Sequence, residues 1–346
     1  MEELGIALIT ALNSLVFTPA EATLLFAGDA MMHQMQLDVA RQSDGSYSYD
    51  GYFDAVTPLI SDADYAVVNL ETPTARGHFS GYPMFNAPDS YVDELKKAGF
   101  DMMLTANNHT LDRHDQGLVR TIDLLDSRGI DHIGTYRNAA ARDSVIPFIK
   151  DINGFRIGFL NYTYGTNGID IRNDVVVDYI DRNLMARDIR RVRDNGAEVV
   201  CVAVHWGDEY KLLPNTHQKS LADFLFANGA DMVIGGHPHV IQPMEMRVGA
   251  DGRNRFLVYS LGNFISNMKT RDTRGGAIAR VHITRDGAGN AVISSADYDL
   301  VFTVPGDNAG DNFRLVFPDS CDSRRWSQHA DAFSAAALNI FDKHNI

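Results

Sequence analysis

Short apolar runs alternate along this chain with longer stretches that repeat at helical spacing. Thr23-Leu-Leu-Phe-Ala27, Tyr65-Ala-Val-Val68, Met102-Met-Leu104, the run from Arg156 to Leu160, that from Val199 to Val204, Met232-Val-Ile234 and the run from Phe256 to Tyr259 read as strands. Their apolar character is continuous rather than alternating, which predicts burial on both faces. Between them, stripes such as Leu118, Ile122 and Leu125, Met185, Ile189 and Val192, or Leu221, Phe224 and Leu225 mark helices with one core-facing side. Several of these segments close on a glycine, an apolar residue and an acid: Gly99-Phe-Asp101, Gly129-Ile-Asp131, Gly196-Ala-Glu198 and Gly229-Ala-Asp231. Glycine there suits the left-handed residue that follows a helix end. Helices alternating with apolar strands predict α/β layers with much parallel pairing. Ser43 to Tyr52, polar and rich in tyrosine, reads as a loop.

The strand ends turn this architecture into candidate chemistry. In α/β sheets, ligands bind outside the carboxyl ends of the strands. Here those ends carry Asp29, Glu71, Asn107-Asn108-His109, His205-Trp-Gly-Asp-Glu209 and His237-Pro-His239. Pro238 is expected to hold His237 extended, so that His237 and His239 project to one side. Neutral imidazole is the commonest side-chain ligand for transition metals. A lone His-x-His pair is weak evidence, but ligand-type residues at successive strand ends predict a metal centre. Asn69 and Asn107 stand beside these residues as candidates to support them or to touch substrate, and Glu209 as a hydrogen-bond partner for a ligand histidine. Asn161 and Tyr162 follow one strand and Asn263 another; substrate contact and turn capping both remain open for the asparagines. His217, His282, His329 and His344 occupy helical or surface contexts with no partner and are not read as ligands.

Composition narrows the function classes. A chain of 346 residues can bury a large core in one layered domain or two. Its net charge of -14 argues against a nucleic-acid partner, which would call for clustered Lys and Arg. Two cysteines make no disulfide framework, and Cys201 reads as a small core residue. Residues Leu4 to Phe17 are apolar enough for a signal region, and Pro19-Ala-Glu-Ala22 resembles a cleavage site, yet Glu2 and Glu3 stand where Lys or Arg would be usual. A remnant export segment and an ordinary N-terminal helix both fit residues 1–22. No other run approaches the ~18 apolar residues of a membrane span.

Taken in order, Gly28-Asp29, Asn69-Leu-Glu71, Ala106-Asn-Asn-His109, His205-Trp-Gly-Asp-Glu209, Gly236-His-Pro-His239 and Tyr259-Ser-Leu-Gly-Asn-Phe264 resemble the successive motifs of the poly-gamma-glutamate capsule biosynthesis family of the CapA type. That family lies within the calcineurin-like metallophosphoesterase superfamily, and the resemblance runs from about Leu24 to Ile265. It implies an α/β (α+β) fold: a four-layer α-β-β-α sandwich of two mixed sheets, metallo-dependent phosphatase-like. The implied domain spans residues 23–300, with a C-terminal extension, 301–346, packing on it. One or two divalent ions, of manganese, iron or zinc, would be held by Asp29, Glu71, Asn108, His205, His237 and His239, with Glu71 bridging. His109 would protonate a leaving group, and Asp112 would orient it.

The resemblance also implies a place in the cell: the envelope, exported or membrane-associated on the periplasmic side, with a cytoplasmic location as the alternative. The substrate would be an anionic small molecule or polymer such as poly-gamma-glutamate, and the partners membrane-bound capsule synthesis proteins. Two departures bear on activity. The superfamily has a second ligand, a histidine, two residues after the first aspartate, where this chain has Met31; His33 nearby reads as a loop histidine. The usual bridging aspartate is Glu71. Two divalent ions against Asp29 and Glu71 would leave the site at about +2, suited to phosphate, whereas one ion leaves it near zero. Three functions stay in play: metal-dependent phosphoester hydrolysis, a non-catalytic polymer-binding or export factor, and amide hydrolysis of a glutamyl polymer.

Overall fold

The structure is a computed structural model that describes residues 21–306 and 310–345. Of the segment 1–22 only Glu21 and Ala22 fall among the described residues, and they open the first strand; the expected helix or export segment lies outside them.

The first half of the chain contains β1 (Glu21–Ala30), α1 (Gln34–Ala40), α2 (Thr57–Ser61), β2 (Tyr65–Leu70), α3 (Asp89–Lys97), β3 (Met102–Leu104), α4 (His114–Arg128), β4 (Asp131–Ile133), β5 (Thr135–Tyr136) and α5 (Ala139–Val145). The second contains β6 (Phe148–Ile152), β7 (Phe155–Thr163), β8 (Val176–Val177), α6 (Arg182–Asp194), β9 (Val199–His205), α7 (Thr216–Ala227), β10 (Met232–Gly236), β11 (Met244–Val248) and β12 (Asn254–Val258). The chain then returns to the first sheet through β13 (Asn263–Ile265), β14 (Gly275–Arg285), β15 (Ala291–Val304) and β16 (Arg314–Val316), and ends in α8 (Ser327–His344).

Two mixed sheets result. The first runs β16-β15-β14-β1-β2-β3-β4 with β13 paired to β1, and the second runs β11-β12-β10-β9-β7-β6. In the first, β1 to β4 are parallel and β14 to β16 antiparallel; in the second, β7, β9, β10 and β12 are parallel and the edge strands β6 and β11 are antiparallel.

Side-chain alternation explains the four layers. Leu24 and Phe26 of β1, Val67 of β2 and Met102 of β3 face Phe159 of β7, Cys201 of β9, Met232 of β10 and Phe256 of β12 in the core between the sheets. Their neighbours Leu25, Val68 and Met103 turn the other way and meet Leu37, Ile60, Tyr91, Leu95 and Leu125 of the helices on the first outer face. On the second outer face Leu160, Val202, Val233 and Leu257 meet Met185, Ile189, Val192, Leu221 and Leu225. Strands buried on both sides are therefore uniformly apolar, as the sequence pattern predicts. Gly129 ends α4 at φ +62°, in the left-handed region. Residue 300 lies inside β15, and Phe333, Ile340 and Phe341 of α8 join the inter-sheet core, so the last segment completes the sandwich.

Phe159 is 1% exposed and its ring lies 5.4 Å from that of Tyr65 across the two sheets. Truncation by Phe159→Ala leaves a cavity where the layers meet. Chemical denaturation is expected to show a loss of about 3–5 kcal/mol; a loss under 1 kcal/mol would mean that the inter-sheet core does not hold the layers together.

Candidate metal centre

The parallel strands of both sheets end on the same side, and their registers set the ligands at one level. Asp29 of β1 pairs with Asn69 of β2, and Gly236 of β10 pairs with His205 of β9. Across the sheets, His205 Nε2 lies 3.5 Å from Glu71 Oε1, His239 Nε2 3.8 Å from the same oxygen, and His239 Nδ1 3.3 Å from Asp29 Oδ2. Asn108 Oδ1 stands 2.8 Å from His205 Nε2. Asp29, Glu71 and His239 offer one set of mutually close ligand atoms, and Glu71, His205 and His237 a second, all within 4.8 Å. Glu71 belongs to both sets, which is the geometry of a bridge.

The turn around the histidine pair differs from the sequence reading. His237 and His239 have φ of +99° and +57°, so Pro238 does not leave His237 extended. Convergence comes instead from a tight left-handed turn that brings the two rings within 5.9 Å. The His237 amide donates to Asp29 Oδ2 at 3.2 Å and so anchors that turn. A side chain at Gly236 would place its Cβ 2.8 Å from Asp29 Oδ1, so only glycine lets the loop pass this close.

A polar scaffold orients the ligands. Asn69 Nδ2 donates to Asp29 Oδ1 at 2.8 Å, and Asn107 Nδ2 donates to Asn69 Oδ1 at 3.2 Å and to the Leu70 carbonyl at 2.9 Å. Asn263 Oδ1 lies 3.0 Å from His239 Nδ1. Asn161 Oδ1 accepts from the Ala106 amide at 2.8 Å, which ties the second sheet to the loop carrying Asn107, Asn108 and His109. Asn69, Asn107, Asn161 and Asn263 thus hold ligands and ligand-bearing loops through their side chains. His109 Nδ1 sits 2.8 Å from Asp112 Oδ2, an oxygen that also accepts from the Phe85 amide at 2.7 Å. With Asp112 accepting from Nδ1, the His109 ring is oriented so that Nε2 is the nitrogen left to exchange a proton.

Electrostatics favour a bound cation. Burial pushes the His205 pKa down to about 3 and that of His237 to about 2, so both are neutral and fit to be ligands. Burial opposes ionisation of Asp29, yet the hydrogen bond from His239 and nearby imidazole charge hold it below the usual carboxylate range. Burial and the Asp29 charge push Glu71 well above that range. Burial would lower His239, but Glu71 and Asp29 raise it to about 9. Both Glu71 carboxylate oxygens and His237 Nδ1 are buried without a hydrogen-bond partner. Buried groups of this kind are available to coordinate a cation. Three imidazoles, two carboxylates and an amide fit manganese, iron or zinc better than calcium.

Some sequence readings need correction. Tyr162 points away from the centre, because alternation along β7 turns it outward; its hydroxyl donates to Asp188 Oδ2 at 2.9 Å in the outer core. Tyr164 occupies the place instead, half exposed, with its ring 4.5 Å from His237 and 6.3 Å from His205. Glu209 is exposed but has a carboxylate oxygen within 4.8 Å of His237 and His239 nitrogens. Met31 is buried and His33 Nδ1 accepts from the Asn267 amide at 3.2 Å, so neither stands in a ligand group. His282 does have a partner, Asp297 at 3.0 Å, and the His329 ring lies tilted against that of Trp326 at 5.3 Å, while both stay outside the centre. Sequence reasoning missed Asn167, whose Oδ1 accepts from Asn108 Nδ2 at 3.2 Å, and Phe85, whose ring stands 4.6 Å from that of His109. Neither follows a strand, so the strand-end rule could not find them; the Asn167-Gly168 turn signal was the one available hint.

Comparison with known proteins sets the family. Residues 23–268 match the family described as bacterial capsule synthesis protein PGA_cap. The chain belongs to this family. It is similar to the capsule biosynthesis protein CapA of Bacillus anthracis, 25% identical over 338 residues that cover 94% of this chain and 79% of the relative. It is also similar to the PGA biosynthesis protein CapA of Bacillus subtilis (strain 168), 29% identical over 288 residues, covering 81% and 72%. Among solved structures, one described as a 5'-nucleotidase from Staphylococcus aureus, in complex with alpha-ketoglutarate, superposes with a TM-score of 0.50 at 13% identity, covering 91% of this chain and 58% of that one. This likeness is one of fold: the PGA_cap chain has the metallo-dependent phosphatase-like sandwich.

Ligation through His239 requires loss of its proton, and His239 is charged below about pH 9 in the metal-free site. Divalent-cation binding is therefore expected to release protons and to tighten as pH rises from 6 toward 9. Calorimetry of manganese binding in buffers of different ionisation enthalpy reads this directly; affinity that is flat or falls across that range would contradict the protonation assigned to the site.

Proposed function

We propose that this PGA_cap chain is a metal-dependent hydrolase of the phosphoesterase type, acting on an anionic substrate in poly-gamma-glutamate capsule production at the cell envelope. The observation that carries the hydrolase reading is the His109–Asp112 pair standing beside a two-lobed ligand cluster that shares Glu71. Bound divalent ions would polarise the ester and lower the pKa of the attacking water. The chain's own residues do the rest. Asp29 and Glu71 supply the negative charge that retains the ions, and Asn69 and Asn263 hold the ligands in place. Asn108, tethered to Asn167 and His205, presents its amide toward the same point. His109, held by Asp112, is placed to pass a proton from Nε2 to a leaving oxygen. Phe85 packs edge-on against the His109 ring and shields it from water.

The role in capsule production is supported by family membership and by the CapA relatives. Poly-gamma-glutamate as substrate or cargo and membrane-bound synthesis proteins as partners belong to the same proposal. A competing reading, a non-catalytic polymer-binding or export factor, draws on Met31: the first ion's inner set holds one ligand fewer than the superfamily pattern.

The deciding assay is hydrolysis of an aryl phosphate with manganese by the wild type, Asn108→Ala and His109→Ala. A hydrolase shows metal-dependent turnover that falls about 10²–10⁴-fold in His109→Ala while metal binding persists, as expected for loss of a general acid. Metal binding with no turnover in the wild type would reject the hydrolase reading in favour of the binding factor.

A further inference from the structure

Glu209 sits on the turn after β9, and the backbone there is strained. Tyr210 has φ of +65°, a conformation unfavourable for a bulky side chain, and its amide donates to the Pro238 carbonyl at 2.8 Å. That bond ties the turn to the middle of the His237-Pro-His239 loop, whose two histidines are also left-handed. Strain of this kind persists only where surrounding structure overdetermines it, and it gathers where a side chain must be aimed. The side chain aimed here is Glu209. One of its carboxylate oxygens, a His237 nitrogen and a His239 nitrogen all lie within 4.8 Å of one another.

The buried ligand sets are uneven. The set of Glu71, His205 and His237 has the Asn108 amide oxygen beside it, 2.8 Å from His205 Nε2. The set of Asp29, Glu71 and His239 has the Asn263 amide oxygen near it, but at 3.0 Å from His239 Nδ1, whereas His239 Nε2 is the nitrogen that faces Glu71. Met31 offers only a buried thioether, a soft donor poorly matched to an oxygen-rich set, and His33 Nδ1 is already engaged by the Asn267 amide. Zinc in a catalytic site takes three protein ligands and leaves a fourth position, which a side chain on the solvent side can reach.

We infer that Glu209 is a direct metal ligand, reaching the centre from the solvent side beside His237 and His239. The assignment rests on the metal-centre part of the proposed function and not on hydrolysis. It changes the charge of the site: three carboxylates against two divalent ions leave about +1 rather than about +2. Glu209 is exposed whereas Asp29, Glu71, His205, His237 and His239 are buried, so it is the ligand that an arriving anionic group displaces without disturbing the rest.

The test is manganese stoichiometry and affinity, by calorimetry and by elemental analysis after dialysis, on the wild type, Glu209→Gln, Glu209→Ala and Asp208→Asn. Asp208 is a neighbouring carboxylate that accepts from Asn215 Nδ2 at 2.8 Å and lies outside the ligand groups. Two equivalents are expected in the wild type and in Asp208→Asn. Both Glu209 variants should bind one equivalent at least about ten-fold more weakly, since even supporting residues around a metal cost that much, with the other equivalent unchanged. Matching Tm values of the metal-free proteins show that the fold is intact. Glu209 variants that hold both equivalents like the wild type, an equal loss in Asp208→Asn, or a wild type holding one ion would each overturn the assignment. A wild type with two ions and the Glu209-dependent loss but no aryl phosphate turnover upholds it while rejecting the hydrolase reading.

Discussion

Glu71 is buried with neither carboxylate oxygen hydrogen-bonded, and much of the molecule is arranged around that fact. Removing a carboxylate from water costs several kcal/mol unless a counter-charge or hydrogen bonds replace the solvent. Here two imidazoles stand at 3.5 and 3.8 Å, too far to serve as hydrogen bonds and well placed to share an ion. Neutral His205 and His237 cannot balance Glu71 and Asp29 themselves. A divalent cation resolves the conflict, and in its absence a proton on His239 or Glu71 does so in part.

That arrangement constrains the fold around it. Glu71 follows β2 of one sheet and His205 ends β9 of the other, so the two sheets must face each other with their carboxyl ends level. The inter-sheet core sets this spacing, with Tyr65 and Phe159 meeting ring to ring. Where the last ligands arrive there is no room for ordinary backbone. Gly236 passes against Asp29, and His237 and His239 take left-handed conformations that the Asp29 carboxylate and the Asn263 amide stabilise. Local strain is thus offset by the same contacts that aim the ligands.

Much of this was legible in the sequence because strands buried on both faces and strand-end ligands leave separate marks. The apolar runs marked both sheets, and Asp29, Glu71, Asn108, His205, His237 and His239 could be read from where those runs stop. The failures have a common physical origin. Tyr162 and Tyr164, two apart, would share a face in a continuous strand, but β7 ends at Thr163, and the turn of the chain there leaves Tyr162 outward and brings Tyr164 over His237. Phe85 and Asn167 reach the site from loops, whose paths depend on tertiary contacts. The conformation of the His237-Pro-His239 turn escaped because proline's local preference was overridden by the anchoring bond to Asp29. Residues beyond 300 carried no motif, yet their packing role follows from the apolar spacing of Phe333, Ala337, Ile340 and Phe341.

The supporting asparagines make the centre one unit rather than a list of ligands. Asn107 bonds Asn69, Asn69 bonds Asp29, and the Asn107 side-chain oxygen accepts from the His109 amide at 3.2 Å, so the acid end of the site and the ion end share a single hydrogen-bonded path. Asn161 adds the second sheet to this path through the Ala106 amide. In a low-dielectric interior, deleting one member leaves its partners unsatisfied, and the cost exceeds that of the bond removed. Effects of changing Asn69, Asn107 and Asp29 should therefore not add, because each change disturbs an orientation on which the others rely.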